Sequence, residues 1–212
     1  MSLRVRRIIW KDLLVEVRNI PELGSAVVFS TASSSLLGFS VSRLSLEPTL
    51  LLTVGLIMVE LFLAVFTSLM GVVKEEETGT LDGLRSSPID PSTVFLAKLT
   101  VNVILLETLT SISLMTTLLF SGAVKGYCRI IPMILSLGIY LAAISSFSSA
   151  LSIYLQARGI LLPTMILVLS LPAIQEALTF MLREEPLGPL VLSLSGLAFT
   201  GIASWLSSYV LD

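Results

Sequence analysis

Two carboxylates stand where a hydrophobic chain can least accommodate them. Glu60 and Glu107 each lie near the middle of a long apolar run, with no lysine or arginine at the same level of either run. A charged side chain at the centre of a membrane costs about 3 kcal/mol even on lenient insertion scales. Two arrangements answer that cost. The carboxyls are protonated and hydrogen-bonded, to each other or to nearby Ser and Thr, and clasp their helices; or they face a watery cavity and belong to a pathway. Both stay open at the level of sequence. Other reactive types are scarce. The absence of histidine removes the commonest metal ligand and general base, and excludes His ligation of haem by this chain. One cysteine, Cys128, supports neither an internal disulfide nor a cysteine-based metal cluster. No nucleotide-binding G-x-x-x-x-G-K-[ST] loop and no H-E-x-x-H motif occurs. The chain is therefore not expected to be an enzyme, to hydrolyse ATP itself, or to hold a metal or cofactor of its own.

These residues must be positioned by membrane helices. The 212 residues are 54% hydrophobic and 13% charged, against about a quarter charged in soluble domains, and mean hydropathy is +0.95. Six runs, about 23–42, 50–73, 94–121, 130–155, 159–182 and 189–211, are each long enough to cross roughly 30 Å of hydrocarbon at 1.5 Å per residue. None alternates as a barrel strand would. The expected fold class is an all-α integral membrane protein, one domain over residues 1–212, with six transmembrane helices preceded by an interfacial helix. Net charge −2 offers no basic surface to nucleic acid. Charges persist to Arg18 and Glu22 and the first run is long enough to span, so a cleaved signal peptide is not expected.

Lysine and arginine counts orient the bundle. With the N-terminus inside, nine cations (Arg4, Arg6, Arg7, Lys11, Arg18, Lys74, Arg85, Lys98 and Arg158) face the cytoplasm. Four (Arg43, Lys125, Arg129 and Arg183) face outward. That bias predicts a multi-pass protein of the cytoplasmic membrane with both termini inside. At 100° per residue, Arg4, Arg7, Lys11 and Arg18 share one narrow face of the N-terminal segment, opposite a broad arc including Ile9, Trp10, Leu13, Leu14 and Val17. Such a helix lies in the membrane interface with its cations towards lipid phosphates.

Small residues recur at every fourth position in three runs: Ala26, Ser30, Ser34, Gly38 and Ser42; Gly138, Ala142, Ser146 and Ala150; Gly196, Thr200, Ser204 and Ser208. These ridges let helices approach closely. Pro163 and Pro172 punctuate the fifth run, which is either a kinked spanning helix or one followed by a short re-entrant piece over 173–182.

The polar stretch "VVKEEETGTLDGLRSSPIDPSTVFLAK", residues 72–98, interrupts this economy. Asp90, Pro91 and Thr93 read as the cap and first turn of the third span. Upstream, "TGTLDGLRS" can form two helical turns with Leu81 and Leu84 on one side. So short a helix does not persist in water without a surface to bury its leucines. It is expected to dock on a cytoplasmic protein.

The order of this stretch (acidic run, Gly-Thr-Leu-acid, leucine, Ser-Pro-Ile, then Ala-Lys opening the next helix) resembles the first cytoplasmic loop of type-2 ABC-exporter permeases. "RGILLPTMILVLSLP", with six spans and almost no outer domain, is similar to the cytochrome c maturation permease, the haem exporter protein B family. The resemblance implies that Glu75, Glu76, Gly79, Thr80, Leu81, Asp82 and Leu84 couple to an ATPase subunit that uses ATP. It implies that the N-terminal segment is an elbow helix, and that the permease works as a homodimer with cytochrome-assembly membrane proteins nearby. Haem is the implied cargo, held by Met, Tyr, Arg or apolar packing because His is missing. Other classes fit the same loop: a permease for lipid, drug or polysaccharide, or a membrane assembly scaffold that transports nothing.

Overall fold

The computed structural model describes residues 3–43, 48–70, 91–122, 127–154, 161–183 and 185–210. Their regular structure is helical: α1 Leu3–Arg18, α2 Ile20–Arg43, α3 Pro48–Ser68, α4 Pro91–Ser121, α5 Tyr127–Tyr154, α6 Leu161–Arg183 and α7 Gly188–Val210. Six of these helices, α2 to α7, are long and apolar enough to cross a membrane. The chain is an all-α, multi-pass membrane protein.

Helix grammar explains the boundaries. Pro91 occupies the first position of α4, where its missing N–H would have had no partner and its fixed φ suits the helix. Pro163 sits in the first turn of α6, where the same argument holds. Pro172 lies inside α6, yet the helix runs unbroken to Arg183. The region 173–182 is thus a continuation of α6 rather than a separate re-entrant helix. The Ser121 hydroxyl at the end of α4 and the Tyr127 hydroxyl at the start of α5 meet at 2.6 Å.

α5 is the hub. It packs against α3, α4, α6 and α7, and Ile130, Ile134, Leu137, Leu141 and Ile144 are fully buried. Its small ridge is buried throughout: Gly138, Ala142, Ser146 and Ala150 all lie inside the bundle. On the opposite side, Gly196 of α7 rests on the backbone of Tyr140, where a Cβ would stand 3.1 Å from the Tyr140 Cα. Phe147 and Phe199 meet edge to face at 5.7 Å. Small residues here do what the period predicts: they bring helix backbones together where lipid supplies no hydrophobic drive.

The ridge on α2 packs against α4. Ala26, Ser30, Ser34 and Gly38 are buried, but Val41, not Ser42, ends the packed row. Ser42 is exposed and donates back to the Phe39 carbonyl at 2.8 Å. Gly38 has no room for a side chain, since a Cβ there would stand 2.9 Å from the Thr117 carbonyl oxygen. Ser30 Oγ donates to the Leu109 carbonyl at 3.1 Å, and Ser34 and Ser30 both reach the Ser113 hydroxyl.

α1 lies against the first half of α4, where Ile9 packs with Ala97, Val101 and Leu105. The face it buries differs from the apolar arc read in the sequence. Ile9, Asp12 and Glu16 are buried, whereas Trp10, Leu14 and Val17 are exposed. Arg7, Lys11 and Arg18 are exposed as well, roughly opposite Ile9 at 100° per residue. The exposed apolar flank is Trp10, Leu14 and Val17. α1 therefore has three faces: one on protein, one apolar and one cationic, and two acids belong to the first of them.

Candidate functional site

The site grows from one missing side chain. Gly138 faces both intramembrane glutamates: a Cβ built there would stand 2.5 Å from Glu107 Oε1 and 2.7 Å from Glu60 Oε1. Both oxygens thus converge on a single point above the α5 backbone. Three helices make this possible. α3 supplies Glu60, α4 supplies Glu107, and α5 supplies the gap that admits their carboxyl ends. Any larger residue at 138 would fill the gap and force the carboxyls apart.

Glu60 is 2% exposed. Its Oε1 accepts a long hydrogen bond, 3.4 Å, from the Thr110 hydroxyl one turn along α4 from Glu107. Glu107 is half-buried. Glu60 Oε2 and Glu107 Oε1 have no hydrogen-bond partner among the described residues, and the Lys11–Asp12 and Lys98–Asp12 ion pairs lie elsewhere. The convergence places the two carboxyls side by side over Gly138, where a proton shared between them would form an acid–carboxylate hydrogen bond. Such a bond would tie α3 to α4 over the hub helix and relieve the repulsion between the two carboxyls.

A second polar contact lies one helical turn away on the same α4–α5 seam. The Asn102 amide nitrogen reaches the Ala142 carbonyl at 3.1 Å and the Ser145 and Ser146 hydroxyls at 2.8 Å each. Further along, Ser149 Oγ donates to the Ser68 carbonyl at the end of α3, a long bond of 3.4 Å. Polar atoms therefore hold α3, α4 and α5 together over much of their shared length. Asn102 was not singled out in the sequence. The usable signal was its chemistry, a carboxamide inside an apolar span, which needs partners as a carboxylate does.

The third feature is the base of α4. Lys98 Nζ stands 3.8 Å from Asp12 Oδ2, and the two side chains are only 12% and 11% exposed. Asp12 is also 3.2 Å from Lys11 Nζ, but Lys11 is 60% exposed. Lys98 thus joins the start of α4 to α1. Low exposure makes breaking this pair costlier than breaking a surface bridge, because removing one partner leaves the other charge buried. No sequence period pointed to it, because Asp12 and Lys98 are far apart in the chain.

The residues assigned to ATPase coupling, Glu75, Glu76, Gly79, Thr80, Leu81, Asp82 and Leu84, lie outside the described residues, as does Asp90. What the structure does describe is each flank of that segment: α3 ends at Ser68 beside Ser149, and α4 begins at Pro91 and is joined to α1 through Lys98. Of the interfacial cations, Arg4, Arg7, Lys11 and Arg18 all fall within α1.

A family model described as CcmB protein matches residues 3–199, from the start of α1 to the middle of α7. Among curated proteins, no sequence match is found.

Proposed function

The chain belongs to the CcmB family, and on that premise we propose that it is the membrane-spanning permease subunit of an ABC transporter. It couples ATP hydrolysis by a separate ATPase subunit to export, in haem delivery for cytochrome c maturation. The observation that carries this reading is the family match over residues 3–199, which includes the polar loop, α1 and five complete membrane helices. ATP belongs to the partner subunit, and haem is cargo rather than a resident cofactor. The working unit is a permease dimer with ATPase chains on the cytoplasmic side, both permease termini on that side, and cytochrome-assembly proteins alongside in the membrane.

The geometry suggests how a push would travel. The coupling residues sit between α3 and α4, so force on the loop acts first on the end of α3 and the start of α4. From there it meets two joints: Lys98–Asp12, which carries motion into α1 at the interface, and the Glu60–Gly138–Glu107 contact, which carries it into α5. In this reading the carboxyl pair is a clasp that makes three helices move together, and no step needs a charge to cross the bundle.

The test is recovery of partners. Tagged protein pulled from native membranes should bring an ABC ATPase with it. Leu84→Asp should insert normally yet lose the ATPase, because Leu81 and Leu84 are assigned as interface anchors worth about 2–4 kcal/mol each. Full ATPase retention and normal cytochrome assembly in Leu84→Asp would make residues 74–93 a solvated linker and remove the basis for coupling.

A further inference from the structure

α1 carries a carboxylate held between two lysines in unlike surroundings. Asp12 Oδ1 lies 3.2 Å from Lys11 Nζ, and Asp12 Oδ2 lies 3.8 Å from Lys98 Nζ. The nearer ammonium is the exposed one: the Lys11 side chain is 60% exposed, against 12% for Lys98. Water competes least for the buried pair, yet that pair stands further apart. Around this point α1 sorts its charges. Its two acids, Asp12 and Glu16, are both buried, so the exposed charges among its described side chains are all cations: Arg6, Arg7, Lys11 and Arg18. Arg6, Arg7 and Arg18 have no partner among the described residues. At 100° per residue, Arg7, Lys11 and Arg18 border one edge of the exposed Trp10, Leu14 and Val17 strip, and Arg6 borders the other.

We propose that the exposed surface of α1 binds anionic phospholipid, and that a headgroup phosphate drawing Lys11 off Asp12 tightens the Asp12–Lys98 joint to α4. The pairing of cations with an apolar strip selects this occupant. Trp10, Leu14 and Val17 seat in the acyl boundary while the lysine and arginines meet phosphate beside them. A free phosphate ion would answer the cations and leave the apolar strip in water. Each Lys or Arg near an anionic membrane strengthens binding by about fivefold, at least as much as an exposed pair such as Lys11–Asp12 gains. The membrane can therefore win Lys11. Once Lys11 leaves, Asp12 no longer divides itself between two cations, and two ammoniums no longer crowd one carboxylate. The charge of the surrounding lipid thus sets how firmly α1 is joined to the start of α4. None of this requires an ATPase or a cargo.

The full-length protein is placed in nanodiscs of phosphatidylcholine, alone or mixed with phosphatidylglycerol. Amide hydrogen exchange over α1 then reads how often this helix leaves α4. Phosphatidylglycerol should slow that exchange by about fivefold or more at low salt, and high salt should remove the effect. Exchange in α5, inside the bundle, should not respond, and its wild-type level shows that each variant is folded. Arg7→Gln combined with Arg18→Gln should lose most of the response, since Gln keeps nearly the helix propensity of Arg. Lys11→Gln reads the switch itself. With no competitor at Asp12, α1 should already exchange slowly in neutral discs, and phosphatidylglycerol should add less than it does to wild type. Equal exchange in the two kinds of disc, a full response in the double arginine variant, or the same response in Lys11→Gln as in wild type would each overturn the proposal. So would slowing by inorganic phosphate in neutral discs, which would give the surface to a free anion. Slowing that needs an added ATPase and not anionic lipid would give it to a protein.

Discussion

Gly138→Ala puts the centre of the bundle to the test. The new methyl carbon would stand 2.5 Å from Glu107 Oε1 and 2.7 Å from Glu60 Oε1, against 3.4 Å where ordinary contact begins. The carboxyls must therefore retreat by about 0.9 Å and 0.7 Å. Glu60 is buried against the core and has little room to do so. Pushing each side chain off its rotamer costs roughly 0.5–1.5 kcal/mol, and overpacking of this kind typically totals about 1–3 kcal/mol. Replacing Gly by Ala within a helix returns up to about 1 kcal/mol. The expected net loss is up to about 2 kcal/mol, or as much as a roughly 30-fold fall in the folded-to-unfolded ratio. Reversible unfolding of the purified protein in mixed detergent micelles, followed by helical circular dichroism, measures it. Gly24→Ala is the control: that glycine is also helical, but nothing lies within 4 Å of its added Cβ, so the substitution should be neutral or stabilising. In a Glu107→Ala background, the cost of Gly138→Ala should fall by about half, because only Glu60 then has to move. Equal stability of the Gly138 and Gly24 variants, or an undiminished cost without the Glu107 carboxyl, would refute the convergence of both acids on Gly138.

Three further outcomes follow from the same structure. Glu60→Gln preserves shape and hydrogen bonding, so stability should stay within about 1 kcal/mol of wild type and cytochrome assembly should persist; a well-folded but inactive variant would replace the clasp with a role that needs the carboxyl's charge or proton. Lys98→Ala should lower stability by up to about 3 kcal/mol and free α1 to protease, while Lys11→Ala should change it by less than about 0.5 kcal/mol. Equal effects would show that the α1–α4 joint does not depend on Lys98. With Cys128 replaced, single cysteines at Ser45, Gly126 or Glu185 should react with an impermeant reagent from outside, and those at Ser2 or Asp82 only after permeabilisation; labelling of Asp82 from outside would invert the bundle and end the coupling argument.

Much of the architecture was legible in the chain because its causes are local. Hydrocarbon demands long uninterrupted apolar helices, so composition and run length alone indicate six candidate spans. Prolines at the helix starts mark boundaries for reasons confined to one turn. Ridges at every fourth residue reveal which side of α2 and α5 will be approached closely. The limits of this reading are just as physical. Ser42 keeps the period of the α2 ridge but not its burial, since where a packed row ends depends on the neighbouring helix, and there Val41 meets it.

The site divides along the same line. That Glu60 and Glu107 needed partners followed from the cost of a carboxyl in hydrocarbon, and their matching positions on neighbouring spans suggested each other. That both would point at Gly138 did not follow, because the rotation of α5 about its axis is set by packing against four helices at once. The same holds for Asp12 and Glu16. At 100° per residue both fall beside Ile9, away from the cations, but the count does not say what that side meets; Asp12 turns inward because Lys98 waits on α4. Sequence by itself determined that the helices form, how long they are and that they belong in a membrane, because each helix satisfies its own backbone hydrogen bonds. Only the tertiary structure decided which side chains meet, because a contact between distant residues depends on how every helix in the bundle is turned.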